Sequence, residues 1–320
     1  MDSITKPPVS QEQLERICEK HLGAKPLLVR ELKDGWFNAA FQLTLPEADF
    51  VLKIAPSDDV RVLRYEQNLM EAEVGVTLTV KACSDLPVPE VIAFDRTREE
   101  VASDYFIAAC VPGVPLEQAK VDFTPEERAF VDRQIGAHLK NLHIIKGQAF
   151  GTFNEPVYST WTDAFNGVME DLKRDQQDQD IDLPQGAFES ATPHLGALAE
   201  VESPALIHWD LWDPNIFVDS TSKRITGLID FERAMWADPL MEGNFMKPSP
   251  ALLDGYELAI TQAPGTPARR ALYDLYLSLI MVIESTYRRF PADHEKMSRD
   301  FLDNSIAALN VSKTGSRLLV

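Results

Sequence analysis

Near residue 112 the chain changes character, and that change restricts it to folds that join a small sheet to a mainly helical partner. Before it, apolar residues fall in short runs, Leu27–Leu32, Phe41–Leu45 and Phe50–Ile54. Pro46-Glu47-Ala48-Asp49 separates the last two and predicts an antiparallel hairpin. Over Val60–Ala82, Leu63, Leu69, Met70, Val74 and Leu78 recur at helical spacing and stop short of Pro87 and Pro89. Strand-like Glu90–Phe94 and Tyr105–Cys110 follow, and Val111-Pro112-Gly113 reads as a connector. Past it, Thr124-Pro125-Glu126-Glu127 has the cap, proline and acids of a helix start, with that helix expected to run to about His143. Further helices are expected at Trp161–Lys173 and Ala268–Arg289. Residues 174–182 are too polar to bury and read as an exposed insert or loop. Ile216–Val218 and Ile225–Ile229 flank the polar turn Asp219–Lys223 and read as a second hairpin. The expected class is α+β in two lobes: residues 1–110 a small antiparallel sheet with one main helix, residues 111–320 mostly helical.

Composition narrows the partners. Acids outnumber bases 50 to 31, for a net charge of −19, which argues against nucleic acid because phosphate backbones select basic surfaces. Three cysteines without CxxC spacing support neither a disulfide framework nor a zinc ribbon. The most apolar stretch, Leu275–Ile283, falls far short of the roughly 20 residues of a membrane span, and the chain ends show no targeting pattern. A cytoplasmic protein with no membrane partner is expected.

The chemistry concentrates in Leu206–Ile216, which reads LIHWDLWDPNI, and in Leu228-Ile229-Asp230-Phe231-Glu232, with Asp230 fifteen residues beyond Asn215. Phosphoryl transfer asks for a carboxylate beside the attacking hydroxyl and for hard oxygen ligands around Mg²⁺. Asp210 suits the first task, Asn215 and Asp230 the second, and His208 reads as a brace for the loop. Lys53 is a charged residue inside the apolar run Phe50–Ile54, and an ammonium there needs an acid. Glu66 and Glu73, seven residues apart and on nearly one face of the expected helix, both qualify.

HWDLWDPN followed by IDFE resembles the motifs of the aminoglycoside phosphotransferase and choline kinase group. That resemblance implies a protein-kinase-like fold, with Asp210 as catalytic base, Asn215 and Asp230 as metal ligands, and Asp238 of Ala237-Asp238-Pro239 as the aspartate of the group's DP element. It also implies ATP and Mg²⁺ as cofactors and a small-molecule acceptor, aminoglycoside- or choline-like. The group's spacing favours Glu73 over Glu66 as partner of Lys53. Asp34–Phe41 resembles the GGxxNxxY segment that covers the triphosphate, making Gly35 and Asn38 nucleotide contacts, although one glycine replaces two. Adenine would meet backbone groups between Ala109 and Val111.

Other candidates read as structural. His143 ends its helix, and Trp161, Tyr273, Tyr276 and Tyr287 sit at core-like spacing, although they could line a substrate pocket. Glu232, Glu242, Asp254 and Glu284 could attract an amine-bearing acceptor. Two rival readings are a catalytically silent nucleotide-binding relative and a metal hydrolase built on His208, Asp210 and His194. The absence of GxxxxGK[ST] and GxGxxG removes the P-loop and dinucleotide-fold classes.

Overall fold

Side chains that alternate along a strand reach opposite faces of its sheet. In the computed structural model, which describes residues 4–33, 35–257, 259–260 and 262–315, both faces of the first sheet are covered. Helix α1 (Gln11–Leu22) precedes β1 (Leu28–Leu32), β2 (Ala39–Thr44) and β3 (Asp49–Ile54). After α2 (Leu69–Cys83), β4 (Val91–Asp95) and β5 (Tyr105–Ala109) complete an antiparallel sheet in the order β1-β2-β3-β5-β4. Leu52 and Ile54 join Leu43, Ile107 and the α1 residues Leu14, Ile17 and Cys18 in one apolar cluster. Phe106 and Ala108 point the other way, to Met70 and Val74 of α2. Lys53, between Leu52 and Ile54, therefore stands on the α2 face.

Two elements depart from the sequence expectation. Helix α1 is not among the expected elements, although Ser10 and Gln13 form a reciprocal capping box and Gly23, at φ 74°, ends the helix in the left-handed conformation that glycine tolerates. The single helix expected over Val60–Ala82 is broken. A 3-10 turn at Arg64–Glu66 leads into extended Gln67 and then Asn68 at φ 60°, and only then does α2 begin.

The chain forms two compact units. The first contains Met1–Arg61, Asn68–Val131 and Asp213–Glu232, and so takes in segments well past the connector. Its second sheet joins β6 (Val114–Pro115), followed by the short α3 (Leu116–Ala119), to the expected hairpin of β9 (Ile216–Val218) and β10 (Ile225–Leu228) in the order β10-β9-β6.

The other unit contains Val62–Gln67, Asp132–Trp212 and Arg233–Val320. It holds the end of α4 (Pro125–His143), then α5 (Trp161–Asp178), α6 (Pro250–Tyr256), α7 (Thr266–Arg288) and α8 (Ala292–Gly315). Its three-stranded sheet runs β7 (Gly151–Thr152), β11 (Met235–Ala237), β8 (Ala205–Ile207). Helices α4 and α6 touch through glycine: a Cβ on Gly136 would lie 2.0 Å from the Leu252 oxygen, and one on Gly255 1.9 Å from that of Arg133. Trp161, Tyr273 and Tyr276 are buried in the core, with Trp161 Nε1 donating to the Tyr273 hydroxyl at 2.7 Å. No helix among the described residues is long and apolar enough to cross a membrane.

The polar stretch after Lys173 is not an exposed loop throughout. Helix α5 continues to Asp178, and Asp175 is buried, accepting from the Arg64 amide at 3.0 Å and from its guanidinium. A charge enters a core when a cation from a distant segment meets it, which local composition does not disclose. The turn that holds Arg64 also buries Glu66 against Arg288, whose Nε lies 3.0 Å from Glu284. Arg288→Met leaves Glu66 buried without its cation and should cost about 3–5 kcal/mol in urea unfolding. Adding Glu66→Leu should recover more than half of that, and a double variant as unstable as the single would show that the pair is not the source.

Candidate active site

Lys53 is the centre of an ionic cluster within the first unit. Its Nζ lies 2.6 Å from Glu73 Oε1 and 2.6 Å from Asp230 Oδ1. Strand pairing sets its position, with Lys53 opposite Ala40 of β2 and Phe106 of β5. Helix α2 supplies Glu73, not Glu66. Burial opposes the charge on Lys53, but Asp230, Glu73 and Glu232 outweigh it and hold the ammonium above its ordinary range. Burial pushes the Glu73 carboxyl upward although Lys53 opposes this, and Asp230 adds to the rise.

Asp230 follows β10 with φ 71°, a backbone state costing about 1–3 kcal/mol in a residue with a Cβ. The adjoining backbone is tied on both sides, Ile229 N donating to the Asn215 oxygen at 3.0 Å and Leu228 N to that of Pro87 at 2.7 Å. Asn215, itself buried, is thus joined to the residue before Asp230. Glu232 is buried two residues on and accepts from Asn38 Nδ2 at 2.8 Å.

One oxygen each from Glu73, Asp230 and Glu232 lie within 4.8 Å of one another. Glu73 Oε2 is buried and accepts no hydrogen bond. Clustered carboxylate oxygens suit a hard divalent cation. Glu232 was expected to attract an amine-bearing acceptor, and its burial beside Asn38 was not legible.

Asp210 belongs to the second unit. Its amide donates to His208 Nδ1 at 3.3 Å, and its carbonyl accepts from Trp212 N at 3.1 Å. Trp209, at φ 63°, stacks on Tyr276 with ring centres 5.6 Å apart and meets Tyr65 edge-on. Fully buried Glu242 accepts from the amides of His208 at 2.6 Å and Trp209 at 2.9 Å. Burial would raise Glu242, but His143 and His208 outweigh it and hold the carboxyl below its ordinary range. Glu242 is thus an internal brace and not the acceptor-attracting acid expected. Burial likewise opposes the charge of Arg233, yet Tyr65, Glu284 and Asp210 keep it well above its usual range.

The remaining residues take varied places. Asp34 lies outside the described residues. Gly35 is exposed, and a Cβ there would meet nothing within 4 Å, so local packing does not require its glycine. The amides of Ala109 and Cys110 donate to Glu90 and Asp49 at 2.8 and 3.0 Å, whereas the Val111 amide has no partner among the described residues. Val111 packs over β10, where a Cβ on Gly227 would come within 2.7 Å of it. Asp238 is buried and accepts from Leu240 N, the Tyr273 hydroxyl and Arg269. His143 is buried, its Nδ1 2.8 Å from the Tyr256 hydroxyl. His194 is hydrogen-bonded to the Leu309 carbonyl, and the described residues hold no His-containing ligand cluster, so the hydrolase site does not form. Glu284 pairs with Arg233 and Arg288. Of the four acids expected to attract an amine, three are thus engaged inside the fold, and Asp254 remains exposed.

A sequence profile of the phosphotransferase enzyme family matches residues 28–273. Among solved structures, a thermostable mutant of aminoglycoside phosphotransferase APH(4)-Ia in its apo form is 21% identical with a TM-score of 0.67, over 92% of this chain and 98% of that one. A ternary complex of such a mutant with AMP-PNP and hygromycin B is 20% identical, with a TM-score of 0.66 over 92% and 98%. The streptomycin–ATP–APH(2")-IIa ternary complex is 17% identical, with a TM-score of 0.63 over 93% and 97%. No curated protein sequence matches. The expected α+β, protein-kinase-like fold is the fold that this chain shares with these structures.

Lys53→Met removes the cation from two acids and tests the cluster by pH. Glu73 is already raised by burial, and without Lys53 it should rise further. A carboxyl raised in the folded state favours folding while protonated and loses that contribution as pH climbs through its folded value. The stability lost relative to the parent should therefore be smaller at about pH 5 than at about pH 8 in urea melts; a gap that widens toward acid would show that Lys53 is not the counter-charge.

Proposed function

The chain belongs to the phosphotransferase enzyme family, and we propose that it transfers the γ-phosphoryl group of ATP to a hydroxyl of a small molecule. The observation that carries this reading is the double contact of Lys53 with Glu73 and Asp230 at 2.6 Å each. A strand lysine held by a helix glutamate beside an acidic turn is suited to receive nucleotide phosphate. Gly35 and Asn38 would contribute from the loop before β2, and the Val111 amide would donate to the base.

Asn215 and Asp230 would hold Mg²⁺, with the carboxylates of Glu73 and Glu232 close to Asp230. When bound, the ion neutralises charge on the phosphate oxygens. Asp210 accepts the hydroxyl proton as the acceptor oxygen bonds to the γ-phosphorus and the bond to the ADP oxygen breaks. Glu242 and the Trp209–Tyr276 stack hold the loop that presents Asp210. The hygromycin B and streptomycin complexes of similar structures support an amine-bearing polyol as the acceptor class to try first.

The reading is tested on the purified chain by following ADP release with Mg²⁺–ATP across aminoglycosides, choline-like alcohols, sugars and nucleosides. An active acceptor supports transfer, and ATP binding with no turnover on any class favours the silent relative. With the active acceptor, Asp210→Asn should lower kcat by about 100-fold or more while the Kd for ATP stays within about threefold. A variant that keeps parental turnover removes Asp210 from the role of base.

A further inference from the structure

Lys6 carries a charge for which the described residues provide no partner. Its Nζ is enclosed and makes no hydrogen bond. The contrast is with Lys53, whose ammonium has two carboxylates at 2.6 Å. Withdrawing an ammonium from water without acceptors is unfavourable, and an anion brought beside Nζ would relieve that cost.

The residue before Lys6 points to the anion. Thr5, just before it, is buried, and its hydroxyl is shared between the carbonyl oxygens of Trp36 at 3.0 Å and Phe37 at 2.8 Å. Those residues lie between β1 and β2, in the loop that ends at Asn38, whose amide donates to Glu232. Thr5 therefore fastens the N-terminal segment to the loop assigned above to the triphosphate and holds the Lys6 backbone one residue from that tie. Gly35 leaves open space there, with nothing within 4 Å of a Cβ. The loop has only one glycine to bring backbone N–H groups to an anion, and a lysine supplies the missing donor as a compact point charge.

We propose that Lys6 is a phosphate-binding residue, which the N-terminal segment presents to the loop before β2 and which contacts the phosphates of the nucleotide. The proposal rests on the kinase reading for the identity of its ligand. A phosphate group is the shared chemistry, and its source is either the nucleotide or free inorganic phosphate.

Calorimetric titration of the full chain with Mg²⁺–ATP, adenosine and inorganic phosphate separates these. Lys6→Met keeps the aliphatic stem. It should raise the Kd for ATP at least about tenfold and leave that for adenosine unchanged, and Lys6→Arg should restore most of the loss. Because an unpaired enclosed charge is removed, the ligand-free melting temperature of Lys6→Met should hold or rise. A lower melting temperature with equal losses for ATP and adenosine would make Lys6 a packing residue. Unchanged ATP affinity with lost inorganic phosphate binding would overturn the nucleotide as the source, and no change with either ligand would overturn the proposal altogether. If the parent chain binds no ATP, the kinase reading fails separately, and phosphate binding by the parent against Lys6→Met then decides the role of Lys6.

Discussion

An ammonium set into the apolar face of a sheet has to be neutralised where it stands, and much of the first unit answers to that requirement. Leu52 and Ile54 commit the opposite face of β3 to α1, so Lys53 has only the α2 side available. Glu73 must then face inward from α2, and the turn after β10 must deliver Asp230 to the same ammonium. The acids gain a cation they need, because Glu73 is buried and one of its oxygens lacks any donor. The cluster is stable as an ion group and incomplete as a hydrogen-bonded one, a combination suited to a further cation and an anionic ligand.

Strain also reaches these places. Trp209 and Asp230 are two of the eight described residues with a Cβ that are held at positive φ, a state that persists only where its surroundings over-determine it. Each has such surroundings. Trp209 is clamped between the Tyr276 ring and the Glu242 carboxylate. Asp230 is gripped by Lys53 and by the backbone ties of Leu228 and Ile229. In both units a strained residue adjoins or is a carboxylate assigned to chemistry, and a buried ion holds it there.

Legibility in the sequence followed the range of the interaction. The hairpin of β9 and β10, the β2–β3 hairpin and the long helix α7 were readable because apolar period and turn residues are local. Asp210, Asn215 and Asp230 stood out because phosphoryl transfer, the proposed reaction, needs those residue types. Burial was much less readable. Glu242 and Glu232 looked like acids for a cationic acceptor, and only the amides of His208 and Trp209 and the side chain of Asn38 show that they are internal acceptors. Asp175 failed as a loop residue for the same reason, since its partner Arg64 lies 111 positions away. Helix α1 is the exception: its capping box was local, and its apolar face, Leu14, Ile17 and Cys18, was there to be counted.

The choice between Glu66 and Glu73 shows how a periodicity argument breaks. Seven residues bring two side chains to one face only when the helix between them is continuous, and here Gln67 is extended and Asn68 left-handed. The interruption lets two buried acids of one short segment answer to different cations, Glu66 to Arg288 and Glu73 to Lys53. Since Glu66 lies in the 3-10 turn fastened to α5 and α7, its ion pair acts on folding. Glu73 stands after the break, on a helix whose Met70 and Val74 bind it to the sheet, and its ion pair sets the position of Lys53, the lysine proposed to receive phosphate. Two buried acids seven residues apart are thereby given different cations, with a left-handed asparagine between them.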